Sequence, residues 1–150
     1  GSLMAYRSVL FLVEEAILAD MTGENFDFAL LTSYGGHLPN PPFCQIKCSR
    51  ATVEPAASGN FLIQCDFLMV GSTEPDNDNT YAQKVTAHET NLGVLTAYVR
   101  GLTPSAIQSN APSATNPITV HSAKLVGCTR DLNTGESTFE ESQAACLVRS

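Results

Sequence analysis

The chain has 150 residues, a length that fits one domain with its own hydrophobic core. Its net charge is −7, which argues against a nucleic-acid binder held by phosphate contacts and against an anionic membrane surface as a partner. Only 15% of the residues are charged, well below the usual quarter, so we expect part of the surface to be covered by partners.

The chain is expected to have neither a cleaved signal peptide nor a membrane span. Residues 1–3 have the character of a tag remnant, and Met4 is the expected native start. The apolar segment 8–13 is short, runs into Glu14 and lacks a cleavage site, and no other apolar run approaches the length of a membrane span. The five cysteines, an odd number, are therefore expected to be free thiols in a reducing compartment.

The first predicted element is an amphipathic helix. Apolar residues recur at three- and four-residue steps between Ala5 and Met21, whereas Glu14, Glu15 and Asp20 lie off that stripe. We expect the paired acids Glu14 and Glu15 to point to opposite sides of the helix or to solvent.

Strands and turns follow this helix. Residues 26–31 predict a short strand, and the prolines of 34–42 predict a turn-rich loop that excludes both helix and central strand. Residues 43–53 and 60–71 predict two strands joined as a hairpin. The second of these is almost continuously apolar, which is typical of a central strand covered on much of both faces.

A second helix is the clearest element of the C-terminal half. Apolar residues and one histidine recur at steps of four and three over 81–102, and Gly101 and Pro104 end the helix. Residues 103–117 predict a loop with little core content, and 118–148 predict a second hairpin turning at Asn-Thr-Gly. The sequence thus predicts an α+β fold with a mainly antiparallel sheet of four to five strands, two hairpins and two amphipathic helices packed on it.

The stretch CQIKC, residues 44–48, contains two cysteines, which is half the number of ligands in a four-cysteine zinc site. Their spacing does not suit such a site if the stretch is a strand. On a strand, Cys44 and Cys48 would lie about 13 Å apart along one face, too far to share a zinc ion. Cys65 has the position to face Cys48 across the hairpin, and all five cysteines fall in predicted strands. We therefore interpret them as small buried hydrophobic residues and predict no metal and no cofactor.

Other residue types with catalytic or metal-binding potential are scattered. His37, His88 and His121 have no second ligand at metal-binding spacing, and we interpret them as structural. The run Asp76–Asn79 lacks the glycine and glutamate of a calcium loop and predicts a solvated loop with a helix cap. No phosphate-binding, dinucleotide-binding or nucleophile-elbow pattern occurs, so the prediction is a protein that is not an enzyme.

The order of elements is similar to that of a known family of virion proteins. The loop HLPNPPF (37–43), the turn EPAASGNF (54–61) and the turn VGCTRDLNTGE (126–136) carry the likeness, which covers about residues 5–149. In these features the chain resembles the small tail-terminator and head–tail joining proteins of long-tailed bacteriophages and prophages. The resemblance implies a structural protein of the tail or neck, assembled in the host cytoplasm, that forms a ring, usually a hexamer. Such a ring caps the tail tube and docks to the head connector.

A ring subunit needs loops that reach its neighbours, and loops 32–42, 54–60 and 103–117 are candidates. The candidate subunit or tube contacts are His37, Pro39, Pro41, Pro42, Lys47, Glu54, Asn60, Asn110 and Asn116. The acidic charge suits a lumen through which DNA passes without specific binding, because like charges repel.

Three alternatives stay open from the sequence. In the first alternative the chain is another phage neck or minor tail component. In the second it is a small-molecule or peptide-binding module in which strand 61–70 lines a pocket. The third alternative is an enzyme with Cys48 or Cys65 as nucleophile and His88 or His121 as its partner. It stays open because such partners can be distant in the sequence and adjacent in the fold.

Overall fold

In the computed structural model, residues 8–33, 37–53, 60–110, 119–131 and 139–149 are described, with side chains up to residue 128. The elements in chain order are α1 (Val9–Thr22), β1 (Ala29–Thr32), β2 (Phe43–Val53), β3 (Phe61–Ser72), α2 (Tyr81–Gly101), α3 (Pro104–Ser109), β4 (Ser122–Asp131) and β5 (Phe139–Arg149). The predicted α+β class is confirmed.

The strands form one mixed sheet in the order β1-β2-β3-β5-β4. β1 runs parallel to β2, whereas the β2–β3, β3–β5 and β4–β5 pairs are antiparallel. The short β1 therefore makes the sheet mixed. The predicted hairpin turns at 54–59 and 132–138 lie outside the described residues, so the two hairpins stay predictions.

The hydrophobic core lies between one face of this sheet and the helices. Alternate residues of β2 and β3 point to that face, and they are buried together with residues of all three helices. The largest fully buried apolar side chains of this core are Phe67, Ile17, Met21, Ile46, Ile63, Met69, Leu95 and Ile107. A smaller cluster of Leu31, Phe43 and Val70, with Leu68 against it, lies apart from this core.

The first helix begins at Val9, and residues 5–7 of the predicted helix lie outside the described part. Ser8 is the N-cap: its backbone is extended and its Oγ accepts a hydrogen bond of 3.2 Å from the amide of Phe11. The prediction that Glu14 lies off the apolar stripe is wrong, because Glu14 is buried.

The predicted strand 26–31 is displaced, and β1 starts only at Ala29. Asn25 has a positive φ of 55°, and the rings of Phe26 and Phe28 stack with centroids 4.9 Å apart. Side chains two apart on a straight strand lie roughly 7 Å apart, so this stacking requires a bent backbone. The ring of Phe26 also stacks on Tyr98 of α2. These aromatic side chains therefore pack against the core instead of forming part of a strand.

The second helix agrees with its prediction, and a third helix corrects one. α2 begins at a capping box formed by Thr80 and Gln83 and ends at Gly101, and its stripe is buried from His88 onward. The predicted loop 103–117 contains α3, capped by Thr103 and started by Pro104. The prediction of little core content there is wrong, because Ile107 is fully buried. The described residues thus hold three helices where two were predicted.

Candidate interaction surfaces

One face of the sheet carries polar and half-buried side chains. On β2, Gln45 and Lys47 alternate with buried residues, and on β3 Gln64, Asp66 and Leu68 do the same. Lys47 and Asp66 are direct partners in the register. Within the described part of the chain, the buried cluster under the helices belongs to the other face. This second face is defined by Gln45, Lys47, Gln64, Asp66 and Leu68.

Both edges of the sheet are also incompletely paired among the described residues. β1 pairs with the four residues Phe43–Ile46 of β2, so the remainder of β2 has no strand from the described residues on that side. At its end, Val53 is 56% exposed. On the opposite edge lies β4, where the register shifts between Leu125 and Gly127 and Val126 is 59% exposed. The sheet therefore presents an exposed valine at each of two opposite edges.

The carboxylate of Glu14 replaces a strand partner where β1 ends. Its Oε1 accepts hydrogen bonds from the amide of Ser33 at 2.6 Å and from Ser33 Oγ at 2.7 Å. Its Oε2 accepts one from the amide of Cys48 at 3.1 Å. Glu14 is only 2% exposed, and three donors compensate for the burial of its carboxylate. One side chain of α1 thus joins the end of β1 to the edge of β2.

Sequence reasoning missed this role of Glu14, although the sequence holds a signal for it. Glu14 stands four residues after Leu10 and four before Leu18, and both of these pack against the core. Residues at that spacing share a helix face, so the same face predicts burial of Glu14.

The candidate contacts predicted from the sequence are spread over several places. Two are exposed, His37 and Pro42, and five are half-buried, Pro39, Pro41, Lys47, Asn60 and Asn110. Pro41 and Pro42 are joined by a cis peptide bond. The side-chain Nδ2 of Asn110 donates to Asp20 Oδ1 at 3.3 Å and to the carbonyl of Ala106 at 2.7 Å. Asn110 thus has a role inside the subunit, whereas Glu54 and Asn116 lie outside the described residues.

A small depression lies between the start of α2 and the end of β3. Its volume is about 190 Å³, and its lining includes Pro41, Ser72, Lys84 and His88. That volume is below the roughly 300 Å³ at which sites for drug-sized ligands begin. The pocket holds His88 but no cysteine, so it does not assemble the cysteine–histidine pair considered from the sequence.

A wider groove lies between residues 24–28 and α2. It has a volume of about 440 Å³ and combines the aromatic rings of Phe26 and Tyr98 with Val94 and the acids Glu24 and Asp27. The hydroxyl of Tyr98 donates a hydrogen bond of 2.6 Å to Asp20 Oδ2, which fixes one wall of the groove.

The cysteines occupy the strands predicted for them, and most are buried. Cys44, Cys48 and Cys65 are buried, and burial raises the pKa of Cys44 to about 12. Cys128 is exposed, so the prediction that it is a buried hydrophobic residue is wrong. It lies on the edge strand β4, where fewer neighbours cover it. Burial and the raised pKa keep the Cys44 thiol protonated, which is unlike the exposed thiolate of a nucleophile.

Comparison with models of known protein families finds no match, and comparison with curated protein sequences finds none either. Among the described residues no group of three His, Cys, Asp or Glu side chains is placed to hold a metal ion. The described helices include none long and apolar enough to span a membrane.

Proposed function

We propose that this chain is a structural subunit of a bacteriophage tail or neck, of the tail-terminator kind, that assembles into a ring. The ring is proposed to be a hexamer that caps the tail tube, joins it to the head connector and lets DNA pass through its lumen. The observation that carries this proposal is the pair of incompletely paired edges on opposite sides of one sheet.

Two unlike edges support a ring because of the symmetry that they impose. A contact between the β2 edge of one subunit and the β4 edge of the next is heterologous, and a heterologous contact closes into a ring when the rotation permits. Monomeric proteins usually cover or charge a free strand edge. Here Val53 and Val126 stand exposed on the two edges instead.

The proposal includes the two predicted hairpins as the framework of these edges. The antiparallel pairs β2–β3 and β4–β5 each join strands that are consecutive in the sequence, which supports a hairpin connection for both. The net charge of −7 supports a lumen wall that repels DNA.

The test compares wild-type protein with single-edge variants by light scattering after gel filtration and by negative-stain microscopy. We expect closed rings for wild type and for the control Val94→Lys, which places the same charge on the 44% exposed Val94 of α2. We expect no rings for Val53→Lys or for Val126→Lys, because every heterologous contact then contains one altered edge.

An equimolar mixture of the two edge variants gives the sharper result. Each variant keeps one intact edge, so the mixture forms one-to-one dimers but cannot close a ring. Wild-type protein that stays monomeric at its highest soluble concentration, with no closed rings in stain, contradicts the proposal. Rings that survive both edge substitutions contradict the assignment of the edges.

A further inference from the structure

Two buried thiols lie directly opposite each other at the centre of the sheet. Cys48 of β2 and Cys65 of β3 are register partners, and they are 5% and 0% exposed. On the other side of Cys65 the register partner in β5 is Cys146. Three cysteine positions thus follow one another across three adjacent strands.

The hydrogen bond to Glu14 distinguishes the two neighbours of Cys65. Because the amide of Cys48 donates to Glu14 at the outer edge of β2, it points away from β3. Cys48 and Cys65 therefore form a non-hydrogen-bonded pair, whose Cα atoms are typically about 4.5 Å apart. The amide and carbonyl of Cys65 then point to β5, so its pair with Cys146 is the hydrogen-bonded kind, with Cα atoms about 5.5 Å apart.

We propose that Cys48 and Cys65 are an oxidisable pair that closes to a disulfide between β2 and β3. The short, non-hydrogen-bonded pairing brings the two Cβ atoms closest and lies within the Cα range of known disulfides, roughly 4.4–6.8 Å. Cys48, which is 5% exposed against 0% for Cys65, is the first sulfur to react, and Cys65 is the second. The inference concerns a modification of this chain and does not require the ring.

The reaction needs a small oxidant, and a peroxide supplies it. The thiolate of Cys48 attacks one peroxide oxygen and the O–O bond breaks, which gives a sulfenic acid and releases hydroxide. The sulfur of Cys65 then displaces the sulfenic oxygen as water, after its own proton is lost. Two thiols and one hydrogen peroxide thus yield one disulfide and two waters.

If the chain acts as the proposed virion subunit, the timing of this oxidation follows from its life cycle. The pair stays as thiols during assembly in a reducing compartment and closes after release into oxidising surroundings. The disulfide then links β2 covalently to β3, the central strand of the sheet.

Trypsin separates the cysteines for the test. Cleavage after lysine and arginine places each of the five cysteines in a different peptide. These peptides are 8–47, 48–50, 51–84, 125–130 and 131–149. Folded protein is treated with hydrogen peroxide, its remaining thiols are blocked, and it is digested without reductant. We expect peptide 48–50 linked to peptide 51–84, with the other three cysteines alkylated.

Matched serine variants show whether the register decides the pairing. Cys44 is on the same strand, but its register partner is Met69, so Cys44→Ser is expected to leave the link intact. Cys48→Ser is expected to abolish it. Disulfide formation is also expected to shift the urea midpoint upward, and dithiothreitol is expected to reverse the shift.

Three outcomes overturn the inference: a link between peptides 51–84 and 131–149, a 48–50 to 51–84 link seen only in denatured protein, or no link at all. Failure of the ring proposal is visible separately, since it is read from the size of the reduced wild-type protein. A monomer that forms the link contradicts only the ring, and a ring that forms no link contradicts only the disulfide.

Discussion

Replacing Glu14 by glutamine tests how much one buried carboxylate contributes to this fold. The substitution keeps the length and shape of the side chain and removes its charge. A carboxylate accepts at both oxygens, whereas glutamine has one accepting oxygen and one donating NH₂ group. The three donors at this position are Ser33 N, Ser33 Oγ and Cys48 N.

The cost follows from the best arrangement that glutamine can adopt. With its oxygen toward Ser33, it keeps two hydrogen bonds but presents its NH₂ group to the amide of Cys48. A buried donor left without an acceptor costs about 1–3 kcal/mol. The bonds to Ser33 also become neutral, and a hydrogen bond to a charged group is roughly twice as strong as a neutral one. We expect Glu14→Gln to lower the free energy of unfolding by about 2–4 kcal/mol.

Urea unfolding followed by circular dichroism measures this change. Glu24→Gln is the matched control, because Glu24 is exposed and the substitution removes the same charge. A surface substitution of that kind is expected to change the free energy of unfolding by no more than about 0.5 kcal/mol. If Glu14→Gln falls within the same range as this control, the carboxylate does not join α1 to the sheet in the way described.

Three further substitutions test other parts of the fold. Gly71→Ala would place a Cβ 2.7 Å from a ring nitrogen of the buried histidine of α2, so urea unfolding should show a loss of about 1–3 kcal/mol. Gly93→Ala is its control, since a Cβ there meets nothing within 4 Å and alanine in a helix gains about 0.5–1 kcal/mol. Ile107→Ala should cost about 2–5 kcal/mol if α3 belongs to the core, and an unchanged urea midpoint would contradict that. A hydrogen bond from Lys84 lowers the pKa of the exposed carboxyl of Asp76, and hydrogen bonds from the backbone amides of Asn79 and Asp78 lower it further. Its contribution to stability is therefore present above its unfolded pKa and is lost as pH falls through the lower folded one. Lys84→Met should raise the Asp76 pKa measured by NMR, and an unchanged pKa would refute that cause.

Local patterns predict the elements that repeat regularly. The four-three steps of α2 extend over several turns, and a capping threonine and a glycine mark its ends, so its bounds follow from the sequence. The alternation around Cys44–Cys48 likewise predicts which side of β2 is buried, and the burial of Cys44, Ile46 and Cys48 confirms it. Each of these predictions depends on residues that are neighbours in the sequence.

The features that sequence reasoning missed depend on partners distant in the chain. α3 has six residues and one buried side chain, Ile107, too few for a period to be recognised. The local spacing of Glu14 indicates a core-facing position, but its hydrogen-bond donors lie 19 and 34 residues away, and no local pattern identifies them. The late start of β1 depends on the stacking of Phe26 on Tyr98. In each case contacts between residues distant in the chain decide the local structure.

Cys48 affects both the proposed ring contact and the proposed oxidation. Its amide is held by Glu14, its register partner is Cys65, and the register of β2 shifts immediately after it, between Cys48 and Arg50. Such a bulge bends a strand and increases its twist, which changes the direction of the edge that follows. The part of β2 that ends at Val53 stays paired with β3, and its direction is set by this point. A disulfide at Cys48 would fix the base of that edge without occupying it, so oxidation and ring contact are compatible in one subunit.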